Sequence, residues 1–375
     1  MATPKKRTLI LVITERCNLN CVYCYEHDKS ARNMSFSTAK SILDKEFADD
    51  GWDGYEIQLL GGEPLLNFDL IRQIDEYVFE TCGRTDTRLF IVTNGTLLTE
   101  ERKAWLENRK HRVVCGLSVD GVREAHNKSR SQSFDLIDLD FFAQVWSKQA
   151  CRMTLHSSNI EHFAESVIFL MERGFPVSAA FAQGLDWITD EVLAVFSHEL
   201  IKLTEYYLQH PEAKLVDLLD VDFRRTAVDL KDRDQHWCGA GSSLSSYDSS
   251  GRCFPCHTFA SVSAGEDAER YAGVTVETLN YRVDPHCRDC VCLPVCSTCM
   301  GMNLMTRGEA GKRDHTMCLM HKARFLAASR LKYLRNFASR SGSVLTGEEF
   351  AELAGIARVQ QAFGTEASTP MRIAV

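Results

Sequence analysis

The sequence predicts an α/β fold: a partial (β/α)6, TIM-like barrel followed by a loop-rich, cysteine-dense region. Three observations predict it. Short apolar runs alternate with helical patterns through the first 210 residues. Polar motifs containing glycine stand where several of those runs end. Nine of the fifteen cysteines fall between 238 and 318, where periodicity fades.

The strand candidates are Arg7–Thr14, Glu56–Leu60, Leu89–Thr93, Val113–Val119, Cys151–His156 and Val177–Phe181. Many of their residues are β-branched, which suits a pleated, buried surface. Between them, Leu70, Ile71, Ile74, Tyr77 and Val78 repeat at helical spacing. So do Ile160, Phe163, Val167, Leu170 and Met171, with Ser158 and Glu161 placed as a capping box. Successive β-then-α units imply parallel strands with helical crossovers. Six units fall short of the eight in a closed barrel, so the barrel is expected to be open on one side, which suits a large substrate.

The expected divisions are 8–210 for the barrel, 211–237 for a charged bridge, 238–320 for the cysteine-rich domain and 321–375 for a C-terminal helix and tail. Metal is expected to replace a hydrophobic core in the cysteine-rich part. Phe325, Leu331, Leu334 and Phe337 give the C-terminal helix an apolar side to dock, with a basic face in solvent. The last 20 residues read as a loosely held tail.

A chain of 375 residues can bury a large core in one or two domains. No apolar run approaches the roughly 20 residues of a membrane span, and Leu9–Ile13 is too short for a signal-peptide core. A cytoplasmic location is expected. The net charge of -8 argues against a nucleic-acid backbone as main partner. In a reducing compartment, clustered cysteines point to metal or catalysis rather than disulfides. Cys82, Cys115 and Cys151 stand alone in apolar segments and read as small buried hydrophobes.

Cys17, Cys21 and Cys24 form a C-x3-C-x2-C run just after the first strand. Three such thiolates can hold three irons of a [4Fe–4S] cluster and leave the fourth open to a ligand. A zinc knuckle is the alternative, with His27 completing the site, but zinc sites favour paired C-x2-C units and only one is here. Gly61-Gly62-Glu63-Pro64 ends the second strand. Its glycines let backbone approach a ligand, and its carboxylate can receive an ammonium group. Thr93-Asn94-Gly95 ends the third strand, and Ser118-Val-Asp120-Gly121, followed by His126 and Arg130, ends the fourth. Hydroxyl and carboxylate groups there can take a ribose, and a guanidinium a carboxylate. Each motif could instead cap a helix.

Together these motifs resemble the radical S-adenosylmethionine (SAM) superfamily, whose open iron chelates SAM. Tyr23 is the aromatic residue usual before the third Cys of that family. The resemblance implies that Gly61, Gly62, Glu63 and Pro64 hold the methionine amino group. It also implies that Thr93, Asn94, Ser118, Asp120 and Arg130 line the SAM site. Further on, Cys238, Gly251 and Cys256 fit C-x(9–15)-G-x4-C, and Cys287, Cys290 and Cys296 fit C-x2-C-x5-C, with Cys299 and Cys318 following. This stretch resembles the SPASM extension with two auxiliary [4Fe–4S] clusters, three in all. By that analogy Cys287, Cys290, Cys296 and Cys318 hold an outer cluster, and Cys238, Cys256 and Cys299 an inner one.

Two departures stand out. Cys296-Ser-Thr-Cys299 is one residue shorter than the family's C-x3-C. No cysteine follows within a few residues of Cys238, so the inner site has an open iron or is closed by Cys253 or a non-Cys group. Cys253 and Cys292 are otherwise spares. The resemblance implies a peptide-modifying enzyme: SAM cleavage, hydrogen abstraction from a ribosomally made precursor, and oxidative formation of a C–C, C–O or thioether crosslink. Electrons would come from a flavodoxin- or ferredoxin-type reductant. Formylglycine formation, as in the related sulfatase-maturing enzymes, is the alternative. Those maturases carry an Asp as base directly after the last Cys of the first SPASM run, where this chain has His257, a candidate catalytic base or a hydrogen-bonding group near a cluster. A purely electron-transferring iron–sulfur protein is a third reading. The barrel begins about eight residues in, so leader recognition is expected on the barrel rim, the SPASM region or a separate protein.

Overall fold

The computed structural model describes residues 5–228, 238–275, 278–279, 281–339 and 344–364. Strand and helix alternate from the start: β1 (Lys6–Thr14), α1 (Phe36–Phe47), β2 (Gly54–Gly61), α2 (Phe68–Asp75), β3 (Thr87–Thr93), α3 (Glu100–Asn108) and β4 (Val113–Leu117). Next come α4 (Arg123–Ser129), α5 (Leu139–Val145), β5 (Cys151–Leu155), α6 (Phe163–Glu172), β6 (Val177–Phe181) and the long α7 (Asp190–Gln209). The remainder holds β7 (Leu244–Tyr247), β8 (Cys253–Phe254), α8 (Ser261–Ala264), α9 (Met300–Arg307), α10 (His315–Asn336) and α11 (Gly347–Phe363).

All six barrel strands lie where the apolar runs predicted. β1 to β4 pair in sequence order and in parallel. β5 and β6 form their own parallel pair, joined to β4 by a single parallel bridge between Ser118 and Arg152. The sheet is therefore an open, partial barrel of parallel strands. Several of its helices are capped by local side chains. Ser35, Thr99 and Thr189 each accept a backbone N–H from the third residue on, at the starts of α1, α3 and α7. Apolar residues of the strands and of the inward helix faces form one main core, from Leu9 in β1 to Phe325 in α10.

The structure corrects several expectations. A seventh parallel strand, β7, pairs with the free edge of β1. Its sequence, Leu-Ser-Ser-Tyr, is too short and polar to announce a strand. It comes from the cysteine-rich region, which is thus hydrogen-bonded directly onto the barrel. The capping box does not form. Ser158 instead shares hydrogen bonds with His156 and Ser129, and α6 starts after a single 3-10 turn at Ile160–His162. The periodic run through Tyr77 and Val78 leaves α2 at Asp75 and continues as a π turn, Glu76–Thr81. Cys115 and Cys151 are buried, but Cys82 is only half-buried. Residues 347–363, which include part of the expected loose tail, form a helix with a full capping box, and Ile356, Val359 and Phe363 are buried in the main core. The bridge positions 229–237 and the tail positions 365–375 lie outside the described residues. Among the described residues no helix is long and apolar enough to cross a membrane.

The junction of β7 with the barrel is also tied by side chains. Glu46, on α1, accepts a hydrogen bond from the Tyr247 hydroxyl on β7 and an ion-paired bond from Arg7 Nε on β1 at 3.0 Å. All three groups are largely buried, so each needs its partner. Tyr247→Phe is expected to lower stability by about 2 kcal/mol, the loss of a bond to a charged acceptor. Urea unfolding should show a lower midpoint with an unchanged slope.

Candidate functional site

A cavity of about 340 Å³ opens at the C-terminal ends of the barrel strands. Each strand from β2 to β6 contributes to its wall at or just past its end: Leu60 and Gly61, Val92 and Thr93, Ser118 just past β4, Thr154, and Ala180 with Phe181. The loop after β1 supplies Cys17, Cys21 and Cys24. This is where barrel folds assemble their sites, because loops at that end can vary without disturbing the core.

The triad loop is set by backbone fit. Gly62 N–H donates to Thr14 O at 3.1 Å, and Glu63 N–H to Arg16 O at 2.8 Å. A Cβ on Gly62 would lie 2.2 Å from Arg16 O and 2.8 Å from Cys17 Cβ. Gly61 has φ +131, a conformation natural to glycine. The glycines thus admit the triad loop itself, beside any approach to a ligand. Cys17 is pushed up to about 11, first by burial. Burial also raises Cys21. Lys29 answers this: burial opposes its charge, but Cys24, Cys17 and Cys21 together raise its pKa. One ammonium therefore faces all three thiols and works against the burial that raises Cys17 and Cys21.

Among the described residues, no three His, Cys, Asp or Glu side chains converge closely enough for one metal ion. Cys17, Cys21 and Cys24 all line the cavity; a multi-iron cluster gives each thiolate its own iron, whereas a structural zinc takes four ligands.

Glu63 is fully buried and engaged on both oxygens. Oε1 accepts from Thr93 Oγ1 at 2.7 Å and Leu65 N–H at 3.0 Å, and Oε2 accepts from Asn94 N–H at 2.7 Å. It caps the 3-10 turn Pro64–Asn67 and still lines the cavity, with lone-pair room on Oε2 for one further donor. Pro64 starts that turn and does not line the cavity. Asn94 also lines it, donating to Asn18 Oδ1 at 2.9 Å.

Tyr23, Asp120 and Arg130 form a buried group beneath the triad. The Tyr23 hydroxyl donates to Asp120, Arg130 pairs with Asp120 at 3.1 Å, and the guanidinium sits 5.3 Å from the Tyr23 ring. Asp120 also accepts from Thr154 N–H at 3.0 Å. Tyr23 and Arg130 line the cavity, but Asp120 does not, because its oxygens serve its neighbours. His126 packs behind, accepting from Asp120 N–H at 3.3 Å, and burial holds it down to about 4. Its role is to hold that loop.

The structure adds wall residues that the motifs missed: Tyr25, Glu26, Lys29, Thr154, Ala182 and Gln183. Thr154 could have been found as the end of a strand. Glu26 is buried, which pushes it up to about 7. His257 lies against Tyr25, with ring centroids 5.6 Å apart. Its Nδ1 is buried without a partner, and burial pushes it down to about 4.

The distal cysteines fall into two groups. Cys287, Cys290, Cys296 and Cys318 line one small cavity of about 50 Å³. Cys292 is buried beside it and does not line it. Cys238, Cys256 and Cys299 act on one another electrostatically, and Thr258 hydrogen-bonds both Cys256 and Cys299. Cys253 points elsewhere, bonding with Tyr247 in the β7–β8 hairpin, so it does not join that second group.

Residues 11–137 match the Radical SAM superfamily, which bears out the resemblance carried by the triad and the strand-end motifs. The chain is 31% identical over 179 residues to Fe-coproporphyrin III synthase of Methanosarcina barkeri, covering 46% of this chain and 43% of the relative. It is 31% identical over 156 residues to a cysteine-type anaerobic sulfatase-maturating enzyme of Clostridium perfringens, covering 38% and 39%. The match thus spans less than half the length of these curated relatives. Two solved structures share the fold. anSMEcpe with bound AdoMet has a TM-score of 0.68 at 17% identity, covering 94% of this chain and 99% of that one. Streptococcus suis SuiB bound to precursor peptide SuiA has a TM-score of 0.56 at 19% identity, covering 84% and 75%.

Two outcomes are expected from this geometry. Gly62→Ala should displace the triad loop and lower iron incorporation on anaerobic reconstitution, measured per folded chain. Glu63 is raised from 4.5 to about 6, first by burial, so the folded chain holds its proton more tightly than the unfolded one. The resulting stability is present in full below about pH 4.5 and lost as pH rises through about 6, amounting to about 2 kcal/mol. Urea unfolding across that range should show this component, and Glu63→Gln should remove it.

Proposed function

We propose that this chain, a radical SAM protein through residues 11–137, is a peptide-modifying enzyme that oxidatively crosslinks a ribosomally made precursor. The observation that carries the reading is the cavity at the barrel mouth, where Cys17, Cys21 and Cys24 share one open cavity with Glu63, Thr93 and Asn94. At about 340 Å³ it is of ligand size. When bound, an iron–sulfur cluster with SAM supplies a carbon-centred radical that removes a hydrogen atom from substrate.

The chain's own residues do the rest. The triad thiolates would hold the cluster, and Lys29 offsets their charge. Glu63 would accept the methionine ammonium at Oε2, Ser118 would meet the ribose, and Arg130 a carboxylate. Val92, Phe181 and Leu60 close the wall with apolar surface and exclude water. Oxidation of a C–H bond to a crosslink also releases a proton. His257, the sequence's candidate base, is buried against Tyr25 and does not line this cavity, so the proton is not assigned to it. The two distal cysteine groups would hold auxiliary clusters, with a flavodoxin- or ferredoxin-type protein as reductant and the cytoplasm as the setting.

The peptide reading is supported by the fold shared with SuiB, solved with its precursor peptide. Formylglycine formation is the second reading, favoured by the identity to a sulfatase-maturating enzyme. The anaerobically reconstituted full chain, given SAM and dithionite, is expected to make 5′-deoxyadenosine, and Cys17→Ala, Cys21→Ala and Cys24→Ala should each abolish it. Mass analysis after reaction with a short peptide encoded beside this gene should show the loss of two hydrogens. A new aldehyde on a sulfatase fragment would instead establish the second reading. Unchanged mass with inverted stereochemistry would defeat the crosslinking reading.

A further inference from the structure

The smaller cavity, lined by Cys287, Cys290, Cys296 and Cys318, lies apart from the barrel mouth, and Gln183 at the end of β6 borders both. Two guanidiniums are buried around it, Arg313 at 7% exposure and Arg324 at 6%. Arg324 is well satisfied. Its Nη1 donates to Leu218 O at 2.9 Å and its Nε to His321 Nδ1 at 3.0 Å.

Arg313 differs. Its Nη1 donates to Cys296 O at 2.8 Å, and its backbone N–H to Asp284 Oδ2 at 2.9 Å holds the segment in place. Its Nε and Nη2 are buried without a well-formed hydrogen bond, with the Tyr281 hydroxyl and the Cys296 thiol as their nearest polar company. A buried cation with idle donors is costly, and native proteins seldom leave one without cause. Burial opposes the charge on Arg313, and the thiols of Cys296 and Cys287 restore it. The idle side of the guanidinium thus belongs to the cysteine-lined cavity that Arg313 itself helps to wall.

We propose that Arg313 donates Nε–H and Nη2–H to the sulfurs of a [4Fe–4S] cluster held by Cys287, Cys290, Cys296 and Cys318, and so raises that cluster's reduction potential. The inference rests on the outer-cluster reading. A cluster gains one negative charge when it takes up one electron. A fixed cation and hydrogen bonds to its sulfurs therefore favour the reduced form. The other cysteine group has no cation among its strongest interactions, which are with Thr258, the backbone of Gly301 and Met302, and its own thiols. Arg313 is a positioning residue in this account, since it acts through the cluster.

The test is an EPR-monitored potentiometric titration of the reconstituted full chain, with dithionite as reductant, on wild type, R313Q and R313K. At a fixed potential R313Q is expected to lower the reduced-to-oxidised ratio of the outer cluster at least tenfold, about 59 mV for a one-electron couple. R313K should recover most of that shift, and the other clusters should not move. An unmoved R313Q midpoint, or an R313K midpoint displaced as far as that of R313Q, overturns the proposal. Loss of the outer cluster from both variants also overturns it, because the role is then structural. If R313Q alone sheds the cluster, R313K at the wild-type midpoint supports it. A Cys287→Ala, Cys290→Ala double variant separates the two layers. If it removes no EPR signal or iron from the otherwise wild-type chain, the outer-cluster reading falls on its own account.

Discussion

The rest of this structure depends on β1 having both edges paired. A strand buried on both faces cannot leave a row of backbone donors and acceptors unmatched. β2 takes one edge over most of its length, and β7 takes the other from Thr8 to Leu11. Because β7 belongs to the cysteine-rich region, this pairing fixes that region against the strand that delivers the triad. Glu15, at the end of β1, adds a polar tie. One oxygen accepts from Ser249 at 2.6 Å and the other from Ser30 at 2.6 Å and Arg32 at 2.9 Å. Burial would raise Glu15, but these bonds hold it below the usual carboxylate range. The triad loop and the distal region are thereby anchored on one buried carboxylate.

A second constraint is charge. The chain buries many thiols, and burial raises their pKa values. A thiolate that is to bind iron needs a compensating cation or hydrogen bond. Each group has its own solution: Lys29 at the triad, Thr258 at Cys256 and Cys299, and Arg313 with Arg324 around the Cys296 cavity. Small apolar clusters complete the distal part, one around Phe259 and another around Met300. Both are modest beside the main core, so bound metal would add substantially to order there.

The barrel was legible because its signal is local. Each strand is a short apolar run, and burial on both faces makes such runs conspicuous. The site was partly legible for the same reason. The triad and the strand-end motifs Gly61–Glu63, Thr93–Asn94 and Ser118 are contiguous in sequence and line one cavity in the fold. What failed was anything decided by partners far along the chain. β7 looks like loop until β1 offers it an edge. Asp120 looks like a ligand until Tyr23, Arg130 and Thr154 claim its oxygens. Ser158 looks like a cap until Ser129 and His156 take its hydroxyl.

The sequence by itself determined the order of strands, the spacing of the triad and the identity of the strand-end groups, because each follows from period, turn chemistry and short-range spacing. Tertiary structure alone decided which polar groups remain free for a ligand. Glu63 keeps room on Oε2, Asp120 does not face the cavity, and Arg313 has two donors without a well-formed bond. The physical reason is competition: a buried polar group bonds to whichever neighbour the fold brings within about 3 Å, and that neighbour is commonly many residues away. Its chemistry is written in the sequence, but its availability is set by packing.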